Sequence, residues 1–286
     1  MINVLAPTSQ FGINVFEGIR CYWNEQKNQL YCFRLDDHIN RLIQSAKLMH
    51  LDLPYNFEEI KQSVFDVIDA NNYQEDIALR VTIFLDGEGS WFANSPTDMF
   101  VAPIPSKILQ SKSKIKLRAR VSSWTRISDN SMSPRTKVGA NYVNSRVGQL
   151  EAVRDNYDTT LFLTSSGKIS EAPGACVMIV RGGEIITPPV TASILESITR
   201  NSIFEIAREE LDVNYVERDI DRTELYISEE MFLCGTAVEI KPIVEIDNFV
   251  LNSGKIGAIT NQLYELYSQI VRNEITGYER WLTKII

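Results

Sequence analysis

Histidine and cysteine are scarce in this sequence. Its 2 histidines are too few for a His-rich metal site. Its 4 cysteines, Cys21, Cys32, Cys176 and Cys234, show no CxxC or metal-ligand spacing and lie among apolar residues. We therefore expect no metal site, and four buried, reduced thiols of the kind found in cytoplasmic proteins.

Positive charge and long apolar runs are also scarce. Lys and Arg number 29 against 37 Asp and Glu, which gives a net charge of −8 and a pI near 5.0. This balance argues against nucleic acid or an anionic membrane as a partner. No apolar run is long enough to span a bilayer, and we see no basic-then-apolar leader. We therefore expect a cytoplasmic protein.

One basic cluster is the exception to this acidic balance. Its residues alternate with Ile115, Leu117, Ala119 and Val121, and this alternation predicts a strand with one solvated face rather than a binding patch. The basic residues are Lys112, Lys114, Lys116, Arg118 and Arg120.

The length of 286 residues suggests one large or two ordinary domains. Pro103-Ile104-Pro105 and the polar run at 110–114 predict a linker. We therefore expect a small N-terminal α/β domain over residues 1–110 and a larger domain over residues 111–286. Periodicity and turn signals predict the following elements: a hairpin at 11–33, helices after Asp36 and Asn56, strands at 77–85, 99–102, 115–121, 159–163, 177–180, 184–187 and 231–237, and helices from Thr199 and over 256–270.

The stretch from Ser133 to Tyr142 places a lysine between a proline-marked turn and a helical pattern. Pro134 disfavours helix at Ser133. Val143, Val147 and Leu150 then recur at helical spacing, so a helix is predicted to begin near Lys137. Most lysines lie on the surface, but a lysine at such a junction can also point into a cleft.

Four other features could partner a buried lysine. Glu171 precedes a turn of small residues, Ile198-Thr199 opens a helix, and Gly235-Thr236-Ala237 follows a strand. A helix N-terminus and an amide-rich loop both bind anions, and Arg41 could bind a phosphate with two nitrogens. An amine, a carboxylate and anion sites together fit pyridoxal phosphate. Each signal is weak alone, since Arg41 could equally be an exposed helix residue and Glu171 a solvated loop carboxylate.

Six short motifs in order carry a more specific resemblance. They resemble the motif series of the class IV pyridoxal phosphate aminotransferases, closest to the branched-chain amino acid aminotransferases, from about Phe11 to Tyr267. The motifs are Phe16-Glu17-Gly18-Ile19-Arg20, His38-Ile39-Asn40-Arg41-Leu42, Lys137-Val138-Gly139-Ala140-Asn141-Tyr142, Ile169-Ser170-Glu171, Ile198-Thr199-Arg200 and Gly235-Thr236-Ala237-Val238-Glu239-Ile240-Lys241-Pro242.

This resemblance implies a two-domain α/β fold, with a small α/β domain, a larger β-barrel-like domain and pyridoxal 5'-phosphate in the cleft between them. It implies that Lys137 forms the internal aldimine and moves the proton during the reaction. Glu171 would hold the pyridine nitrogen protonated, and Tyr142 would bind the cofactor's 3-oxygen. The expected phosphate ligands are Arg41, Ile198, Thr199 and Thr236.

The resemblance also implies an activity and an assembly. It implies a homodimer that transfers an amino group from an L-amino acid, branched-chain or bulkier, to 2-oxoglutarate in a ping-pong cycle. Phe16 would line the apolar pocket, the loop from Gly235 to Ala237 would receive the substrate carboxylate, and Arg80 the distal carboxylate of glutamate. The alternatives are a related enzyme acting on D-amino acids, amines or aminodeoxychorismate, and a non-catalytic homologue.

The sequence departs from the family pattern mainly on the substrate side. Phe11 and Ala78 stand where substrate-pocket tyrosines are usual, Ser197 replaces a glycine, and Ala175 and Cys176 replace a polar pair. The chain also begins almost directly at the first hairpin, so we expect one edge strand of the small domain to be absent.

Overall fold

The computed structural model describes residues 3–94, 96–105 and 116–285. They form two compact units. The first unit contains the described residues up to 105 together with 136–140 and 269–285, and the second contains 116–135 and 141–268. The predicted boundary after residue 110, the polar run at 110–114, Lys112, Lys114 and Ile115 lie outside the described residues. The segments 136–140 and 269–285, which the sequence placed in the second domain, belong to the first unit.

An antiparallel five-stranded sheet forms the centre of the first unit. Its strand order is β13-β2-β1-β3-β4. The strands are β1 (Asn14–Asn24), β2 (Gln29–Phe33), β3 (Ile77–Leu85), β4 (Thr97–Pro105) and β13 (Leu282–Ile285). The predicted hairpin and the strand at 77–85 are confirmed, whereas β13 was not predicted.

Helices cover one face of this sheet. Alternate residues of β1 and β3, such as Val15, Ile19 and Leu79, pack against apolar residues of the helices. The helix predicted after Asp36 carries acidic residues in its first turn, and Asn56 and Glu59 form a capping box at the start of the helix predicted after Asn56. The helices are α1 (Pro7–Phe11), α2 (Leu35–Leu48) and α3 (Phe57–Asn71).

The predicted linker at Pro103–Pro105 is wrong, because these residues end β4. Among the described strands, β4 pairs with β3 alone and forms one edge of the sheet. Proline lacks an N–H donor and is therefore tolerated in an edge strand, where one side of the backbone needs no partner strand.

The prediction of four reduced thiols is also wrong for one pair. Cys21 and Cys32 lie directly opposite each other on β1 and β2 and form a disulfide. Cys176 and Cys234 are free and buried, as predicted. The two bonded cysteines are separated by 11 positions, too far for any short motif to reveal, and only the hairpin register brings them together.

We expect this disulfide to stabilise the first unit. A cross-link that closes a loop of this length contributes about 3 kcal/mol in the chain-entropy model. Replacing Cys32 by serine should therefore lower the melting temperature by several degrees, measured by calorimetry without reductant. The matched control is Cys234→Ser, and a thiol titration of the denatured wild type that counts four free thiols would contradict the pairing.

An eight-stranded mixed sheet forms the centre of the second unit. Seven strands follow the order β6-β5-β11-β10-β7-β8-β9, and β12 pairs with β11. The strands are β5 (Leu117–Thr125), β6 (Thr159–Leu163), β7 (Cys176–Arg181), β8 (Glu184–Thr187), β9 (Tyr215–Glu217), β10 (Glu230–Gly235), β11 (Glu239–Ile246) and β12 (Phe249–Val250). The helices are α4 (Tyr142–Arg154), α5 (Ile198–Leu211), α6 (Arg222–Leu225) and α7 (Ala258–Ile270).

The apolar stripe on α4 faces outward. Val143 and Leu150, which predicted the helix, are exposed. The buried face instead carries small residues and Glu151. At Gly148 an added Cβ would lie 2.5 Å from ring atoms of Phe162, so only glycine lets this ring pack against the helix.

Candidate active site

Lys137 lies against β1 and α2 in the first unit. Its N–H donates to Ser45 Oγ at 3.2 Å, and its carbonyl accepts from the N–H of Phe16 at 3.0 Å. The next residue, Val138, forms a bridge with Val15. The predicted helix does not begin at Lys137, because a 3₁₀ turn at Gly139–Asn141 intervenes before α4. Lys137 is therefore held in extended chain, hydrogen-bonded through its backbone on both sides.

The side chain of Lys137 lies beside an aromatic ring. Its Nζ is 5.2 Å from the ring centre of Phe16, and the guanidinium carbon of Arg80 is 4.1 Å from the same centre. The strand register explains this grouping, because Phe16 and Arg80 lie on the face of β1 and β3 that is turned away from the helices. Three predicted site residues are thus neighbours in the first unit.

Arg41 projects from α2, whose apolar residues pack on the other face of this sheet. His38, Arg41 and Ser45 are spaced i, i+3 and i+7, so they lie on one face of the helix. Arg41 Nε and Nη2 donate to the two carboxylate oxygens of Glu17 at 2.7 and 2.8 Å. His38 Nδ1 is 2.7 Å from Glu17 Oε2. The exposed-helix alternative for Arg41 is wrong, since only 11% of its side chain is exposed.

The charges around Glu17 determine its ionisation. Burial alone would raise the pKa of Glu17, but the charges of Arg41 and His38, with their hydrogen bonds, hold it well below its usual range. Burial lowers the pKa of His38 by more than Glu17 raises it. Glu17 is therefore an ionised carboxylate at neutral pH, and its partners must be donors.

Glu171 is the buried carboxylate of the second unit. Arg126 donates to Glu171 Oε1 from Nε at 2.9 Å and from Nη2 at 2.8 Å. The N–H of Leu195 donates to Oε2 at 3.1 Å. The solvated-loop alternative for Glu171 is wrong, since the residue is 2% exposed. No motif predicts a role for Arg126, because its partner lies 45 positions away and no spacing signals the pair.

Two further predicted residues approach the turn after Glu171. The turn ends at Gly174, whose φ of +79° favours glycine. An added Cβ there would lie 3.8 Å from the ring of Tyr142, and one on Gly235 would lie 3.4 Å from the Gly174 carbonyl oxygen. Thr236 and Ala237 follow in the turn after β10. The second unit thus brings Tyr142 and Gly235 close to the Glu171 turn.

The N-terminus of α5 contains the remaining predicted phosphate ligands. Ser197 is the N-cap, and its Oγ accepts from the N–H of Arg200 at 3.2 Å. Ile198 and Thr199 occupy the first turn and are buried. The N–H groups of a first helical turn and the positive end of the helix dipole favour an anion. Serine instead of glycine at position 197 thus adds a cap to this helix.

The two altered substrate-side positions differ in exposure. Ala78 is half-buried on β3, directly opposite Arg20 and two residues before Arg80. It therefore shares a sheet face with Arg80 and carries a methyl group where the family has a tyrosine ring. Phe11 ends α1 and is 46% exposed. The strand register thus places Ala78 near the predicted site residue Arg80.

The donor set fits pyridoxal phosphate by its chemistry. The first unit supplies a lysine amine and an oriented guanidinium, and the second supplies a buried, arginine-paired carboxylate, a phenol and a helix N-terminus. Among the described residues, no group of three or more His, Cys, Asp or Glu side chains could hold a metal ion. Nor does the described part of the chain contain a helix long and apolar enough to cross a membrane.

Comparison with known proteins identifies the family. A family model described as class IV amino-transferase matches residues 14–246. The chain belongs to the class IV aminotransferases. This aminotransferase is 37% identical over 287 residues to a "Probable branched-chain-amino-acid aminotransferase" of Aquifex aeolicus, with 99% of this chain and 92% of the relative covered.

Solved structures agree with this assignment. The aminotransferase superposes with a TM-score of 0.93 and 37% identity on the branched-chain aminotransferase of Thermoproteus uzoniensis with norvaline, over 100% of this chain and 94% of the other. It also superposes on the branched-chain amino acid aminotransferase of Thermobaculum terrenum in its PLP-form, with a TM-score of 0.90 and 41% identity. This superposition covers 96% of this chain and 89% of the other.

These matches confirm the predicted fold class and the enzyme class. Class IV aminotransferases use pyridoxal 5'-phosphate, which is therefore the cofactor of this chain. The non-catalytic alternative is not supported, because the relatives that cover the full chain are named as aminotransferases. The roles given to individual residues stay predictions.

Proposed function

We propose that this aminotransferase takes its amino group from branched-chain L-amino acids and gives it to 2-oxoglutarate. The full-length similarity to enzymes named for branched-chain substrates supports this substrate class. Within the first unit, the observation that carries the proposal is the grouping of Lys137, Phe16 and Arg80. An amine stands there beside an apolar ring and a cation, the groups required for an amino acid with either an apolar or an acidic side chain.

Bound pyridoxal phosphate supplies an electron sink for the α-carbon of the substrate. The task proposed for Lys137 is to act as nucleophile and then to carry the proton of that α-carbon. For this the amine must be neutral for part of each cycle. Hydrogen bonds to Ser45 and Phe16 fix the backbone of Lys137, so its flexible side chain moves from a fixed Cα position.

Glu171 and Tyr142 are proposed to act on the ring of the cofactor. Arg126 and the N–H of Leu195 hold the Glu171 carboxylate in place, and the carboxylate would accept a hydrogen bond from the protonated ring nitrogen. Tyr142 is proposed to donate to the 3-oxygen. The proposed phosphate ligands are Arg41, Ile198, Thr199 and Thr236.

Arg80 and Phe16 are proposed to let one pocket accept two kinds of side chain. The ring of Phe16 contacts apolar side chains, and the guanidinium stacked on it binds the distal carboxylate of glutamate. The loop from Gly235 to Ala237 is proposed to receive the carboxylate common to all substrates.

A spectral experiment tests the proposed donor. The cofactor-loaded enzyme is mixed with single L-amino acids, D-amino acids or amines, and the decay of the visible absorption band is followed. We expect L-leucine and L-isoleucine to convert the band and 2-oxoglutarate to restore it. Conversion by D-amino acids or amines alone would support a same-fold enzyme of different specificity.

Ala78 favours a second candidate donor, a bulkier apolar or aromatic L-amino acid. The missing phenol removes one hydrogen bond to a carboxylate, worth about 1.5–3 kcal/mol, and leaves room beside Arg80. We therefore expect a high KM for leucine and comparable or better activity on a larger donor.

We expect Ala78→Tyr to lower the KM for leucine roughly tenfold or more and to exclude the bulky donor. Steady-state kinetics on leucine and phenylalanine measure both effects. Ala93→Tyr, an exchange of the same size in the loop before β4, is the matched control. A wild type that binds leucine tightly and rejects larger donors would contradict this role of Ala78.

We also propose that the enzyme is a cytoplasmic homodimer. The exposed apolar side chains of α4, Val143, Leu150 and Val153, support a protein partner, because monomers seldom expose such a stripe. Light scattering during gel filtration distinguishes a dimer from the 32.6 kDa monomer.

A further inference from the structure

Glu17 breaks the apolar pattern of β1. Its neighbours on the same face of the strand, Val15 and Ile19, are part of the hydrophobic core, and Glu17 itself is 0% exposed. Ionised carboxylates are rarely buried to this extent, because removal from water is costly unless partners compensate. Among the described residues, the compensation comes from His38 and Arg41 of one helix.

Stability alone does not explain this cluster. A buried ion pair is often no more stable than apolar residues of the same volume. An apolar residue at position 17 would continue the alternation of β1, so the charged residues require another reason. Departures from local patterns that are compensated by specific contacts are typical of functional sites.

The geometry of the contact indicates that reason. Glu17 occupies one edge of the guanidinium of Arg41, the edge formed by Nε and Nη2. The guanidinium is a rigid plane, so fixing one edge also fixes the direction of the opposite edge. His38 holds Oε2 of the carboxylate in turn, which leaves Glu17 little freedom to rotate.

We propose that Glu17 is a positioning residue for the cofactor phosphate and acts by orienting Arg41. The inference rests on the proposed role of Arg41 as a phosphate ligand. Glu17 itself does not contact the phosphate. His38 completes the arrangement as a third donor to the Glu17 carboxylate.

Orientation and charge predict opposite effects of removing the Glu17 carboxylate. Its negative charge lies against Arg41 and therefore weakens the attraction of Arg41 for an anion. If charge alone mattered, Glu17→Gln would strengthen phosphate binding. If orientation matters, the same substitution weakens it, because an amide offers one acceptor oxygen in place of two.

The experiment compares pyridoxal phosphate with pyridoxal, which lacks the phosphate. Dissociation constants for the apoprotein are measured from the absorbance of the bound cofactor. We expect Glu17→Gln to raise the dissociation constant of pyridoxal phosphate roughly ten- to a hundredfold. The dissociation constant of pyridoxal should change less than about twofold. The matched control, Glu25→Gln in the exposed turn after β1, should change neither constant.

Two more variants separate the possible failures. Glu17→Asp keeps the charge but shortens the side chain, and we expect the same selective loss. Arg41→Lys tests the underlying role. If Arg41→Lys weakens the binding of both ligands equally, the proposed function of Arg41 fails. If Arg41→Lys weakens only the binding of pyridoxal phosphate and Glu17→Gln does not, only the role of Glu17 fails.

Three outcomes overturn the positioning role of Glu17. The first is tighter binding of pyridoxal phosphate by Glu17→Gln, and the second is an equal loss of affinity for pyridoxal phosphate and pyridoxal in that variant. The third is loss of the fold in both Glu17 variants. The last outcome would assign the carboxylate to the stability of the first unit. Thermal unfolding of each apoprotein detects it.

Discussion

Replacing Lys137 by alanine should abolish transamination while the protein still folds and still binds pyridoxal phosphate. The lysine is proposed as both nucleophile and proton carrier, and positioned proton transfer alone contributes up to about 10⁴-fold. We therefore expect the turnover rate to fall by at least that factor. The backbone contacts of Lys137 to Ser45 and Phe16 do not involve its side chain, so the fold should survive.

A chemical label tests the same assignment independently of activity. Borohydride treatment of the cofactor-loaded wild type should leave the pyridoxyl mass on the peptide that contains Lys137. The matched control is Lys168→Ala, which removes a partly exposed lysine paired with Asp221 and should leave both the label and the activity unchanged. A label on a different lysine would show that Lys137 is not the attachment point.

Local patterns were sufficient to predict most elements. The capping box at Asn56 and the alternation at 77–85 depend on neighbouring residues alone, and the structure contains both. The strands predicted at 177–180 and 184–187 are also present, and they pair as a hairpin whose turn glycines, Gly182 and Gly183, have φ of +59° and +76°. Signals of this kind need no knowledge of distant contacts.

The errors arose where a distant partner decides the structure. The spacing of Val143 and Leu150 correctly indicated a helix, but not that its apolar stripe would be exposed and its glycine buried against Phe162. The Cys21–Cys32 disulfide depends on strand register. The prolines at 103 and 105 suggested a linker because a sequence does not show that their strand is an edge.

The same limit applies to the candidate site. The motifs predicted Lys137, Arg41 and Glu171, which have recognisable neighbours in the chain. They did not reveal what holds these residues in place. Arg41 is bound by Glu17, 24 positions earlier, and Glu171 by Arg126, 45 positions earlier. Arg41 and Glu171 are thus each fixed by a buried opposite charge that only the fold brings to them.

Glu171→Gln should leave the cofactor bound but slow the half-reaction with leucine by at least ten- to a hundredfold. Losing one hydrogen bond between charged groups costs about 1.5–3 kcal/mol, which is the minimum effect on the barrier. The structure adds a second reason. The two carboxylate oxygens of Glu171 accept from Arg126 and from the N–H of Leu195, so an amide NH₂ would face a donor in either orientation.

Stopped-flow absorbance of single turnovers separates a role of Glu171 at the cofactor from a role in the fold. We expect the rate to fall while the dissociation constant of pyridoxal phosphate changes by only a few fold, because the phosphate ligands are untouched. Glu184→Gln, at the exposed first position of β8, controls for the loss of one charge. An unchanged rate would make Glu171 a structural residue. A loss of cofactor affinity as large as the loss of rate would assign the effect to local distortion around Arg126 and not to the proposed contact with the ring nitrogen.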